Sequence, residues 1–243
     1  EVDGLIEKEL TEMQFQAKGK LRDGREVFVR NLDLGDLPKI LQLQNKVLAN
    51  LESQQILQPL YQDEFTYILQ GNGDMIGIFL QDRLIAFRAM LIPKPEKEFL
   101  GELAGIPGDD RKQIIYSEIS NVDPEYRGNG LQHYMGKVLM DRIDREKFRY
   151  VLTTVAPFNI PSLKDKFRLG MNIVALAEMY NGKLRYVLKK DLQQSPQESL
   201  RVKHILIPMG DIEKQRHYLK EGYSGISMEE QEGEWNVLFV KEN

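Results

Sequence analysis

The segment that most narrows what this chain can become runs from Ile114 to about Glu146. A strand-like run, Ile114–Val122, stops at Asp123-Pro124 and is followed by a loop holding Gly128 and Gly130. Leu131, Met135, Val138, Leu139 and Ile143 then recur on one helical stripe. A strand that feeds a helix through such a loop turns several backbone N–H groups and the positive end of the helix dipole toward one point, which suits a phosphate. Glycine lets the backbone approach an anion with no side chain in the way. The same arrangement can also be no more than a tight connection. Two familiar phosphate loops do not fit. A P-loop needs Lys-Ser or Lys-Thr after its last glycine, where this chain has Leu131-Gln132, and a dinucleotide fingerprint needs a third glycine where His133 stands.

The surrounding sequence reads as a mixed α/β chain. Met13 to Arg30 is strand-like on both sides of Arg22-Asp23-Gly24-Arg25, a hairpin signal, with Val27 and Val29 on one face and Phe28 on the other. Asp33 or Asp36 can cap a helix reaching about Leu51, with Leu37, Ile40, Leu41, Val47 and Leu48 on its apolar stripe, and a second helix spans about Asp63 to Leu69 before Gly71-Asn72-Gly73. Met75 to Leu80 and Leu84 to Ile92 form another hairpin, and Pro93 to Asp110 reads as an irregular excursion. After the glycine loop and its helix come a strand, Tyr150 to Val155, a short helix from Pro161 closed by Gly170, and a hairpin around Asn181-Gly182. Gln193 to Ser199 reads as a linker. The tail suggests a strand from Val202, a helix from Asp211 to Glu221 and a last hairpin whose tip is the acidic run Glu229 to Glu234, with Trp235 and Phe239 in its core.

Composition removes whole classes of chemistry. The 243 residues contain no cysteine, which excludes disulfides, cysteine-ligated zinc, iron–sulfur clusters and a cysteine nucleophile. His133, His204 and His217 have no ligand-like spacing, so no metal is expected, and His133 is expected to be exposed. A formal charge of −4 gives no reason to expect nucleic acid. No apolar run approaches the ~20 residues of a membrane span, and Glu1 to Leu10 alternates acids with aliphatics, so the expectation is a cytoplasmic protein with no membrane partner.

Arg127, Gly130 and Gln132, preceded by Val122-Asp123-Pro124-Glu125-Tyr126, resemble the signature of the GNAT superfamily of acyl-CoA N-acyltransferases: Arg or Gln, two residues, Gly, one residue, Gly or Ala. Asn159-Ile160-Pro161-Ser162 with Phe167-Arg168-Leu169-Gly170-Met171 resembles the family's second motif, and the element order matches from Arg25 to Leu192. The resemblance implies a GNAT fold, a mixed central sheet with helices on both faces. To it are added an N-terminal segment (1–24) with a hairpin strand and a C-terminal strand-helix-hairpin extension (193–243).

It also implies an enzyme that moves an acetyl or other short acyl group from acyl-CoA directly to an amine on a small molecule or peptide, without metal. A homo-oligomer is left open, and the alternative is a catalytically silent module that binds acyl-CoA. By the resemblance, CoA would lie on Arg127, Gly128, Asn129, Gly130, Leu131 and Gln132. The pantetheine arm would run along Asn121 and Val122, with Asn159 and Ser162 alongside. Glu118 would be the base. The thiolate-protonating tyrosine of the family falls on Lys166, a departure, since a lysine on a short helix is ordinarily a solvated charge; Phe167 cannot substitute, and Tyr134 and Tyr180 are other donors. Gln132 is a second departure, because a small residue is usual there.

Overall fold

The computed structural model describes residues 17–51, 53, 56–194 and 202–242. The expected strand residues Met13 to Gln16 and most of the expected linker, 195–199, lie outside them. The described residues form two units, neither continuous in sequence: 17–51, Pro59–Leu91 and Glu118–Arg142 in the first, and 53, 56–58, Ile92–Ser117 and everything from Ile143 on in the second.

In the first unit, β1 (Ala17–Lys20) and β2 (Glu26–Asn31) form the expected hairpin, with Lys20 opposite Glu26 and Gly24 at φ +87°. Alternation buries Val27 and Val29 and leaves Phe28 on the other face. β2 pairs antiparallel with β3 (Gly73–Leu80), which turns at Gln81-Asp82 into β4 (Arg83–Leu91). Asp33 opens a short 3-10 turn by accepting the Gly35 N–H, and α1 (Leu37–Ala49) follows. Its buried stripe is Ile40, Leu43, Gln44 and Val47, so Leu37, Leu41 and Leu48 lie half-buried at its edges. The rotation has a local cause: the Gln44 amide donates to the Leu60 carbonyl at 2.8 Å and accepts the Leu60 N–H at 3.1 Å, which turns that face inward.

α2 (Gln62–Leu69) packs on the sheet through Phe65, edge-on to Phe87 of β4 at 5.8 Å between ring centroids. The next residue of β4, Arg88, points to the opposite face and donates to the Gln132 carbonyl of α4 (Leu131–Arg142) at 3.1 Å. Helices therefore cover both faces of these strands. α4 stops at Arg142 and not near Glu146. Asp144 folds the following backbone on itself, its carboxylate accepting the Glu146 N–H at 3.0 Å and its carbonyl the Phe148 N–H at 2.8 Å.

The second unit contains the first part of β5 (Ile114–Val122), whose parallel ladder with β6 (Tyr150–Val155) runs from Ile114↔Tyr150 to Tyr116↔Leu152. β6 pairs with β8 (Lys183–Asp191), and β8 with β7 (Asn172–Met179) around the expected Asn181-Gly182 turn. The sheet then continues into the C-terminal residues: β7 meets β10 (Ser224–Gln231) at Ile173↔Gly225, β10 pairs with β11 (Glu234–Glu242), and β11 with β9 (Val202–Pro208). Gly225 makes this passage feasible, since a Cβ there would stand 2.9 Å from Val237 Cγ1 and 3.1 Å from Ile173 Cβ. The last hairpin turns on Glu232-Gly233 alone. Glu229 to Gln231 and Glu234 are strand residues, because cross-strand pairing extends to Gln231↔Glu234.

α5 (Ile160–Arg168) ends at Gly170, φ +77°, as expected. α6 (Ile212–Lys220) docks through buried Gln215, which accepts the Tyr186 hydroxyl at 2.7 Å and donates to the Met209 carbonyl at 2.8 Å. Phe239 is fully buried, but Trp235 is half-buried with the Lys164 ammonium over its ring at 4.9 Å. The expected irregular excursion instead forms α3 (Leu100–Leu103) between 3-10 turns at Pro95–Lys97 and Gly108–Gln113. It is pinned by buried Leu100, Ala104 and Ile106 and by the Tyr116 hydroxyl donating to Glu98 at 2.9 Å. Among the described residues no helix is long and apolar enough to cross a membrane, and no group of three or more His, Asp or Glu is placed to hold a metal ion.

Candidate functional site

Glu118, Asn121, Val122 and Arg127 to Gln132 lie together in the first unit on one continuous strand, loop and helix. Asp123 fixes where the strand ends. Its N–H donates to the Ile85 carbonyl at 2.9 Å, and its carboxylate, 1% exposed as a side chain, accepts Lys46 at 2.9 Å, Arg83 at 2.6 Å and the Glu125 N–H at 3.1 Å. Burial alone would raise this carboxyl. The hydrogen bonds from Lys46, the Glu125 amide and Arg83 outweigh it and hold the group below its ordinary value.

Tyr126 comes next, buried, with the Arg25 and Arg83 guanidiniums over its ring at 5.1 and 5.4 Å. Asn129 donates to the Tyr126 carbonyl at 2.9 Å and accepts the Arg22 N–H at 2.9 Å. Between these anchors the chain is exposed at Arg127, Gly128 and Gly130, and both glycines adopt left-handed φ, +79° and +75°. The first helical bond of α4 joins the Tyr134 N–H to the Gly130 carbonyl at 3.0 Å. Among the described residues the N–H groups of Gly128 to Gln132 have no backbone acceptor. A row of free amides at a helix N-terminus can take an anion.

Upstream on β5, Glu118 keeps some solvent exposure while lying among close neighbours. Burial, and secondarily the Glu64 carboxylate of α2, push its carboxyl up to about 7. Glu64 is itself held in place, since its side chain accepts the Tyr61 N–H at 2.7 Å at the start of α2. A carboxylate poised near neutrality can take a proton from an ammonium and release it again. Asn121 is 1% exposed, and neither end of its amide, nor the Ser120 hydroxyl, has a hydrogen-bond partner among the described residues. Such buried groups mark places for ordered water or a polar ligand.

Asn159, Ser162 and Lys166 belong to the second unit. Asn159 caps α5, its Oδ1 accepting the Ser162 N–H at 3.4 Å, and the residue before it, Phe158, is in the left-handed region at φ +63°. Lys166 is not the solvated charge a short helix suggests. Its side chain is 6% exposed and its ammonium lies 3.2 Å from the Asp165 carboxylate, itself buried, because this part of α5 faces the interior. Tyr134 is exposed on α4, and the Tyr180 hydroxyl lies 3.5 Å from Thr154 Oγ1 within the second unit. His133 is half-buried, not exposed.

Sequence reasoning missed Lys46, Arg83 and Arg88. Their partners lie 77, 40 and 44 positions away, and no local pattern announces the pairing.

No family model matches the sequence, and no curated protein is similar to it. Solved structures are similar. An N-acetyltransferase from Staphylococcus aureus Mu50 aligns with a TM-score of 0.53 and 15% identity over 69% of this chain and 99% of that one. The Salmonella typhimurium protein yncA, a putative acetyltransferase solved with its cofactor acetyl-CoA, gives 0.53 and 12% identity over 72% and 99%. Arabidopsis thaliana NAA60 in complex with a bisubstrate analogue gives 0.55 and 17% over 70% and 99%.

Proposed function

We propose, from the premise that this chain has the GNAT N-acetyltransferase fold, that it moves an acetyl or other short acyl group from acyl-CoA to an amine by direct transfer. One observation carries the reading: a single strand, loop and helix bears both a carboxylate poised near neutrality and a row of free amides. Acetyl-CoA bound to the Salmonella protein of the same fold supports the choice of donor.

In this reading the CoA pyrophosphate sits on the amides of Arg127 to Gln132, where left-handed Gly128 and Gly130 keep the approach clear. The pantetheine arm runs along Asn121 and Val122. The end of the β5 ladder at Tyr116 and the buried amide of Asn121 both favour a polar guest there. Glu118, as carboxylate, accepts a proton from the acceptor ammonium. The neutral amine adds to the thioester carbon, and a backbone N–H at the strand end stabilises the oxyanion. Collapse breaks the carbon–sulfur bond, the attacking nitrogen gives up its second proton to water, and the departing thiolate takes up a proton from water. The carbon–sulfur bonding pair leaves with sulfur, so the transfer needs no oxidant or reductant.

The test is thiol release from acetyl-CoA across a panel of small amines, amino acids and peptides, alongside calorimetric binding of CoA. Turnover with at least one amine is expected, and Gly130→Glu abolishes CoA binding by placing a carboxylate on the anion site. CoA binding without turnover on any amine rejects the transferase reading, and unchanged affinity in Gly130→Glu rejects the site.

A further inference from the structure

The loop is not held by its own neighbours alone. The turn between β1 and β2, 107 positions earlier, docks on it through the Arg22 N–H on Asn129 Oδ1 at 2.9 Å, while Arg25 of the same turn lies over Tyr126. The turn therefore delivers an arginine from outside the motif to the edge of the anion site.

The cations around the loop differ in what they can still do. Lys46 and Arg83 are both spent on Asp123 and Glu125, and Arg25 is 2.6 Å from the Asp23 carboxylate. Arg22 and Arg127 are exposed, and among the described residues neither guanidinium has a carboxylate partner. A free guanidinium suits a phosphate, which it can meet with two parallel N–H donors.

The nucleotide end of CoA carries two kinds of phosphate. The pyrophosphate is matched by the amide row. The 3′-phosphomonoester holds a second negative charge at neutral pH, its second pKa being about 6, and calls for a full cation. We infer that Arg22 is the specificity residue for that 3′-phosphate, so that the protein selects CoA over dephospho-CoA through a residue carried on the β1–β2 turn. The inference rests on reading Arg127 to Gln132 as the CoA phosphate site.

The test is calorimetric affinity for CoA and for dephospho-CoA, in the full chain and in Arg22→Ala, at low and high salt. The variant keeps the backbone N–H that docks the turn, and the side chain is exposed, so folding is not at stake. The full chain should prefer CoA by about tenfold, a preference that shrinks as salt rises. Arg22→Ala should bring the two nucleotides within about twofold of each other, at the affinity of the full chain for dephospho-CoA. A variant that retains the preference, or loses affinity equally for both nucleotides, overturns the assignment. Binding of both by the full chain without discrimination also overturns it while sparing the loop reading, whereas binding of neither overturns both.

Discussion

Replacing Glu118 with glutamine removes a group whose protonation is decided by its surroundings, and the consequences for stability and for rate run in opposite directions. In the fold the carboxyl titrates at about 7 against an ordinary 4.5. The folded-state value is raised, so the stabilising contribution is complete below about 4.5, where both states carry the proton, and is lost as pH climbs through 7. Above that, holding the charge in the fold costs at most roughly 3 kcal/mol, and the exposure Glu118 retains brings this to about 1–3 kcal/mol. Glu118→Gln should therefore match the parent in urea unfolding at pH 4 and exceed it by that amount at pH 8. In the transferase assay kcat/KM of the parent should rise through an inflection near 7 to a plateau, and the variant should fall by about 10²–10⁴-fold and lose the inflection. A variant less stable than the parent at pH 8 would show that the carboxyl is not strained by burial. A persistent inflection near 7 would assign the base to another group.

Three further outcomes follow from the same structure. Gly130→Ala meets open space but must hold φ near +75°, so it should cost about 1–2 kcal/mol in thermal unfolding and weaken CoA binding through the displaced amides. Asp123→Asn takes from Lys46 and Arg83 the buried one of the two carboxylates they share and leaves them exposed Glu125. Since both cations keep solvent contact, the expected loss is about 2 kcal/mol, below the range for breaking a fully buried pair, together with weaker CoA binding. The Asp123 carboxyl is held low, so its contribution is present above the ordinary carboxylate range and disappears as pH falls through the folded value; parent and variant should converge in acid. Lys166→Met should destabilise by about 2–4 kcal/mol in urea unfolding because Asp165 loses its neighbouring ammonium. A Lys166→Met protein as stable as the parent would show that the buried pair contributes nothing to the fold.

The elements legible in the sequence are those whose geometry is dictated within a few residues. Asp23-Gly24 and Asn181-Gly182 announced their hairpins, and Gly170 announced the end of α5, because each needs a left-handed backbone that glycine supplies cheaply. Short-range patterns failed where competing local bonds or distant packing decided the outcome. Asp144 ends α4 at Arg142 although Ile143 still fits the apolar stripe, Gln44 rotates α1 by bonding Leu60, and the excursion after β4 becomes helical turns because Leu100, Ala104 and Ile106 find a buried place.

For the candidate site the division is sharper. The sequence alone determined the loop: its length, its two glycines and the helix behind it all follow from backbone conformations that the residues themselves select. It could not determine charge. That Glu118 sits near neutrality, that Asp123 is ionised under two cations, that Lys166 is buried against Asp165, and that Arg22 stands beside Asn129 all depend on groups brought close from elsewhere in the chain or on the depth at which a residue is packed. Electrostatic energy depends on distance and on exclusion of water, and neither quantity is written in residue order.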